Sequence, residues 1–247
     1  MLRYILIALF TVFACITNVQ ADDNADHIEL LSKHYNLQKP VGEGPFPAVM
    51  LVPGVTGFGY KHYDNVEKKL LGLGFVTLRV NYIEGIKKKI SARFLADSAG
   101  GDICTAAEYL KLQPFVKKGA INVIGWSLGG AGVFIALSRT ESREPVQVDA
   151  AVAYYPYCIA ARPWDSDIPV LVLMGEIDNV APIDSCENVF DRLPNRDGLA
   201  VRIYDNAHHC FDYPNYTTET DTRLGKMLYN KAVTEAAWVE VTKFLKR

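Results

Sequence analysis

The hexapeptide Gly125-Trp126-Ser127-Leu128-Gly129-Gly130 constrains this chain more than any other segment. It follows a short apolar run, Ala120 to Ile124, and precedes an apolar helical stretch, Ala131 to Ser138. A G-x-S-x-G placed between a strand and a helix turns the chain so sharply that the serine is held in a strained conformation, its hydroxyl lifted above the sheet. Gly125 and Gly129 carry no side chain where strand and helix approach each other closely. The segment therefore asks for a fold in which a strand feeds directly into a helix.

The rest of the chain supplies that pattern. Short apolar runs alternate with segments of helical period, the mark of a parallel α/β sheet. Strands are expected at Ala48–Val52, Phe75–Val80, Asn122–Ile124, Ala150–Tyr154, Val170–Met174 and Val201–Tyr204. Helices are expected over Tyr63–Leu73, Asp97–Leu112 and Leu128–Ser138, with a further one running to Arg192 from an Asp184 cap. A last helix starts near Asn230, its buried stripe formed by Val233, Ala237, Val241 and Leu245. The expected architecture is an α/β-hydrolase fold: one doubly wound, mostly parallel sheet with helices on both faces, over residues 22–247.

Residues 1–21 read as a targeting segment. Arg3 is a positive n-region, Tyr4 to Ile16 an apolar h-region, and Val19-Gln20-Ala21 a small-residue cleavage site. The apolar run is shorter than the about 20 residues a membrane span needs. The expected location is therefore secreted or periplasmic, with no membrane contact after cleavage. A formal net charge of −2 over 247 residues gives no reason to expect a nucleic-acid partner. Beyond the targeting segment stand Cys104, Cys158, Cys186 and Cys210. An even count in an oxidising compartment points to one or two disulfides, with three full pairings open. No cysteine or histidine spacing argues for a metal.

Serine is a weak nucleophile and needs an adjacent base that a carboxylate orients. In α/β-hydrolases the chain order is serine, acid, histidine, each beyond a strand end. Here the strand Val170–Met174 leads into Gly175-Glu176-Ile177-Asp178, and Val201–Tyr204 leads into Asp205-Asn206-Ala207-His208-His209. His27, His34 and His62 all precede the serine, so chain order excludes them. Of the adjacent pair, His209 is the expected base, since it stands directly before Cys210-Phe211, and His208 its structural neighbour. Among the acids, Glu176 lies too close to the strand end, Asp184 has a capping role, and Asp205 and Asp212 are too near the histidine. That leaves Asp178. Oxyanion donors are expected from the backbone N–H groups of Leu128 and Val55, the latter in the loop Pro53 to Gly59. Trp126 and Tyr157 are expected in the substrate pocket, with Tyr154, Tyr155 and Trp164 as further candidates. Lys87-Lys88-Lys89 and Arg93 form a basic stretch that would favour anionic substrates if it overhung the site.

On Gly-Trp-Ser-Leu-Gly-Gly at 125–130, Met-Gly-Glu-Ile-Asp at 174–178, Ala-His-His-Cys-Phe-Asp at 207–212 and Tyr-Asn-Lys-Ala at 229–232, the chain resembles the dienelactone hydrolase family. The resemblance runs roughly from Pro45 to the C-terminus. It implies Ser127, Asp178 and His209 as the catalytic set, with no cofactor and a small-molecule ester as partner. It also implies a Cys158–Cys186 disulfide, as in similar secreted members, and leaves Cys104–Cys210 as a second bridge. Members that act on dienelactone carry a cysteine nucleophile and a glutamate after the first core strand, and this chain has Ser127 and no acid there. The resemblance thus implies a general carboxylic ester hydrolase, monomeric or a small homo-oligomer. A lipase- or polyester-hydrolase-like enzyme shares the elbow and the Pro-Gly-x-Thr loop. A different class, an inactive hydrolase fold serving as a binding protein, would have lost a member of the set.

Overall fold

Alternation along the buried strands builds the molecule. The computed structural model describes residues 35–84, 90–141 and 143–247. In chain order these form β1 (Tyr35–Gln38), β2 (Phe46–Val52), α1 (His62–Gly72), β3 (Val76–Val80), α2 (Ala92–Lys111), β4 (Val116–Trp126), α3 (Leu128–Ala136), β5 (Ala150–Tyr154), β6 (Val170–Gly175), α4 (Ile183–Phe190), β7 (Leu199–Tyr204), β8 (Thr220–Asp221), β9 (Lys226–Met227) and α5 (Lys231–Leu245). The targeting segment 1–21 and Lys87 to Lys89 lie outside the described residues.

A seven-stranded sheet has the order β1-β3-β2-β4-β5-β6-β7. The pairs β2–β3, β2–β4, β4–β5, β5–β6 and β6–β7 are parallel, and only the edge strand β1 runs antiparallel, against β3. The central strands β2, β5 and β6 are apolar on both sides because both faces are covered. In β2, Ala48, Met50 and Val52 join a core beneath α2, α3 and α4, whereas Val49 and Leu51 join a second core beneath α1 and α5. This is the doubly wound α/β-hydrolase architecture expected from the sequence.

Local chemistry moves two helix starts and fixes a third. The helix α2 begins five residues earlier than its periodicity indicates, because the Ser91 side chain accepts the Phe94 N–H and caps it. The helix α4 starts after Pro182, so Asp184 sits inside its first turn, where a negative charge suits the helix dipole, and does not cap it. The last helix, α5, starts where expected: Asn230 accepts the Val233 N–H, and Ala237, Val241 and Leu245 are buried. Two short elements escape the sequence reading, β1 and the hairpin β8–β9.

Candidate active site

The chain leaves β4 and turns into α3 at Ser127, whose φ of +50° lies in the left-handed region. Bulky residues occupy that region only where their surroundings over-determine it. Here the Ser127 N–H donates to the Tyr154 carbonyl at 2.9 Å, and its own carbonyl accepts the Tyr157 N–H at 2.9 Å and the Ala131 N–H at 3.1 Å. The turn is too tight for a side chain at Gly125. A Cβ there would lie 2.5 Å from the Gly129 carbonyl oxygen.

The ends of β6 and β7 are held equally close. A Cβ on Gly175 would meet the Ala207 carbonyl oxygen at 2.2 Å, so the loops after the two strands pack backbone to backbone. This brings Asp178 and His209 together at 2.7 Å, Oδ2 to Nδ1. The other oxygen of Asp178 accepts the N–H groups of Val180 and Ala181, both at 2.8 Å. A carboxylate is an acceptor only, so Nδ1 carries the imidazole proton and Nε2 is left to accept. Nε2 lies 2.9 Å from Ser127 Oγ. The serine hydroxyl thus donates to an imidazole whose tautomer and orientation a buried carboxylate sets.

His208 takes no part in this chain. Its Nε2 faces Glu219 at 3.5 Å. The Cys210 thiol is unbonded, and burial pushes it well above the ordinary thiol range, with the nearby Asp212 and Asp178 charges adding to the rise.

Leu128 opens α3, where first-turn N–H groups have no partner inside the helix. The loop after β2 reaches the same place, since a Cβ on Gly54 would sit 3.4 Å from Ser127 Cβ. The Gly54 N–H is taken by the Tyr63 hydroxyl at 2.9 Å, and the turn closes from the Gly57 N–H to the Gly54 carbonyl. That leaves the Val55 N–H without a partner among the described residues.

The aromatic expectations divide. Tyr157 is half-buried and tied by its N–H to the serine turn, at the edge of the site. Trp126, expected in the substrate pocket, is 0% exposed and does not line it. Alternation along β4 sends its indole to the same face as Ile124, under α1 and α5, where it stacks on Tyr154 at 5.3 Å and donates Nε1–H to Asp212 at 2.9 Å. Tyr155 is also wholly buried, and Trp164 packs between Phe134 and Phe190 in the other core.

The cysteines divide too. Cys158 and Cys186 are bonded, joining the loop after β5 to α4. Cys104 and Cys210 are both unbonded, because the sheet separates them: Cys104 packs on the α2 side and Cys210 on the α1 and α5 side.

Sequence reasoning passed over one residue here. Asp212 is a buried carboxylate beneath the serine turn, pushed up to about 6 by burial, against the pull of hydrogen bonds from Tyr155 and Trp126.

The sequence model of the dienelactone hydrolase family matches residues 35–247. The chain belongs to the dienelactone hydrolase family. The match begins at β1, upstream of the Pro45 limit at which the motif resemblance starts. Among solved structures of this fold, one from Klebsiella pneumoniae assigned to the dienelactone hydrolases superposes with a TM-score of 0.65 at 16% identity, covering 86% of this chain and 92% of that one. Esterase 2 of Thermogutta terrifontis, in its native form, gives 0.61 at 14% identity, covering 85% of each chain. The chain is also 22% identical over 188 residues to the cutinase Est1 of Thermobifida alba. That alignment covers 73% of this chain and 58% of the cutinase, so the chain spans less than two thirds of that relative's length. Among the described residues no helix is long and apolar enough to cross a membrane.

Proposed function

We propose that this member of the family is a secreted serine hydrolase that cleaves carboxylic esters through an acyl-enzyme on Ser127. The observation that carries the reading is the pair of hydrogen bonds from Asp178 through His209 to Ser127 Oγ, 2.7 and 2.9 Å, on a serine held at a left-handed turn. Family membership and the naming of similar proteins as esterases and a cutinase support ester hydrolysis. The targeting segment and the Cys158–Cys186 disulfide support an oxidising compartment.

In this reading Ser127 Oγ attacks the ester carbonyl carbon as its proton passes to His209 Nε2. The negative charge gathers on the carbonyl oxygen, where the N–H groups of Leu128 and Val55 receive it. Asp178 stabilises the imidazolium without taking its proton. Collapse of the tetrahedral adduct breaks the bond to the alcohol, which leaves with the proton from Nε2. Water then attacks the acyl-enzyme, gives its proton to Nε2, and the second collapse returns that proton to Ser127 Oγ and frees the acid. Every bond and proton is accounted for by ester, water, Ser127 and His209, so the reading invokes no metal or organic cofactor.

One observation favours a second reading, hydrolysis at the surface of a polymeric or lipid ester. Val55 and Ile177, on the loops that carry the expected oxyanion donor and Asp178, are 40% and 43% exposed, and Ile159, two residues past Tyr157, is 62% exposed. The test is turnover of p-nitrophenyl esters of increasing acyl length by the wild type, Ser127→Ala and His209→Ala. Short esters turn over in the wild type, and each variant loses about 10⁴-fold or more in kcat. Activity surviving in Ser127→Ala would refute the reading. A preference for long or polymeric esters would select the second one.

A further inference from the structure

Asp212 lies three residues past His209 and is 7% exposed. Its two oxygens serve two donors that flank the nucleophile. Oδ1 accepts the Tyr155 hydroxyl in a short hydrogen bond, and Oδ2 accepts Trp126 Nε1–H at 2.9 Å. Trp126 is the residue before Ser127. Tyr155 follows Tyr154, whose carbonyl holds the Ser127 N–H, and takes a φ of +33° to do so. From there its ring packs on the His209 imidazole, centroids 4.5 Å apart. One buried carboxylate is therefore linked to the serine turn, the end of β5 and one face of the base.

Packing alone does not call for a carboxylate at this position. The surroundings are apolar and aromatic, with Tyr63, Tyr154, Phe211 and Tyr213 in the same core, and a buried charge there is unfavourable unless its hydrogen bonds act on something. What they act on is the reacting pair. The serine reaction needs Oγ and Nε2 held to fractions of an ångström, and the imidazole must not rotate as it gains its proton.

Resting on the reading of Ser127 as nucleophile and His209 as base, we propose that Asp212 is a positioning residue of this site: its carboxylate clamps the serine turn through Trp126 and the face of the His209 imidazole through Tyr155. Other titratable groups face Asp212 from each element around it: Tyr63 from α1, Tyr154 at the end of β5 and Tyr155 just beyond it, and His209, Cys210 and Tyr213 on its own loop. Burial raises all the phenols and the thiol well above neutrality. His62, Lys68 and Lys69 border the same space from α1, and burial keeps His62 neutral. Near neutral pH the charged groups around the site are thus Asp178, Asp212 and, bordering that space from α1, Lys68 and Lys69. A carboxylate beside an imidazole favours its protonated form, so losing Asp212's charge carries the acidic limb of kcat/KM to lower pH.

The test compares the wild type with Tyr155→Phe, Asp212→Ala and Asp212→Asn, each assayed on p-nitrophenyl butyrate across the pH range and normalised to active sites titrated by burst amplitude. Tyr155→Phe keeps the ring and severs the hydrogen-bonded link from Asp212 to the ring that packs on the imidazole. Asp212→Asn keeps both contacts, since its amide oxygen accepts from Trp126 and its NH₂ donates to the Tyr155 oxygen, and removes only the charge. Tyr155→Phe and Asp212→Ala lose about tenfold or more in kcat per titrated site with KM within about threefold, the pattern of a group acting only as the transition state forms. Asp212→Asn falls between them and the wild type, with its acidic limb displaced to lower pH. A role confined to folding would lower burst amplitude and melting temperature alone. Wild-type kcat per titrated site in Tyr155→Phe and Asp212→Ala, with an unmoved limb in Asp212→Asn, would overturn the proposal. Failure of the underlying reading shows separately, as activity surviving in Ser127→Ala.

Discussion

Replacing Asp212 by asparagine makes the folded protein more stable at pH 8 and leaves its stability nearly unchanged at pH 4. Burial raises the carboxyl from 3.8 to about 6, even with its hydrogen bonds in place. A carboxyl that is raised on folding binds its proton more tightly in the native state. Its favourable contribution is therefore complete below the unfolded value of 3.8 and is lost as pH climbs through about 6. A displacement of about two pK units corresponds to about 3 kcal/mol of folding free energy forfeited above neutrality. Asparagine has nearly the same shape, cannot ionise, and keeps acceptor and donor for Trp126 and Tyr155. At pH 4, where the native carboxyl is protonated, it changes little. At pH 8 it restores about 3 kcal/mol, or about 6–12 °C in melting temperature for a chain of this size. Thermal melts of both proteins at the two pH values, followed by circular dichroism, measure the difference directly. Groups that do not interact with Asp212 titrate alike in both proteins and cancel. A melting-temperature difference that is the same at both pH values, or an asparagine variant less stable at pH 8, would refute the reasoning. Confirmed, the result means that the chain carries a charge its fold does not need, beneath a site that uses it.

Three further outcomes follow from named contacts. His62 lies between the rings of Tyr63 and Tyr213, centroids 3.7 and 3.6 Å away, with neither nitrogen partnered, and burial lowers it to about 3. A depressed histidine supports the fold above its unfolded value of 6.5 and loses that support as pH falls, so His62→Phe flattens the drop in melting temperature between pH 7 and 4. The Cys158–Cys186 bond closes a separation of 28 residues, worth about 3–4 kcal/mol in chain entropy, so reductant shifts the urea midpoint of the wild type but not of the double serine variant. Gly125→Ala pushes a methyl to 2.5 Å from the Gly129 oxygen, and opening the serine turn by about an ångström lowers kcat/KM about 10²-fold in an ester assay.

The candidate site was more legible in the sequence than its foundations. Ser127 and Asp178 stand out because each follows a run of buried apolar residues, His209 because it follows the half-exposed edge strand β7, and their chain order matches a known geometry. The same logic located β5 exactly, as Ala150–Tyr154. β1 escaped notice because Tyr35–Gln38 is a short, half-buried edge strand with no apolar run to announce it. Trp126 was misplaced because strand alternation tells which residues share a face, not which face looks onto the site. Asp212 lies too near the histidine to be the triad acid, and nothing local to it in sequence marks another role. Its partners are 86 and 57 residues away in sequence, and no local pattern brings them together.

The central claim is that Ser127 becomes covalently acylated. Mixing the protein with a slowly hydrolysed p-nitrophenyl ester, quenching in acid and mapping the adduct by peptide mass spectrometry tests it most directly. A single acyl group is expected on Ser127, formed in step with the p-nitrophenol burst and absent from Ser127→Ala. Turnover with no adduct on Ser127, or an adduct on Cys210 or another residue in its place, would contradict it.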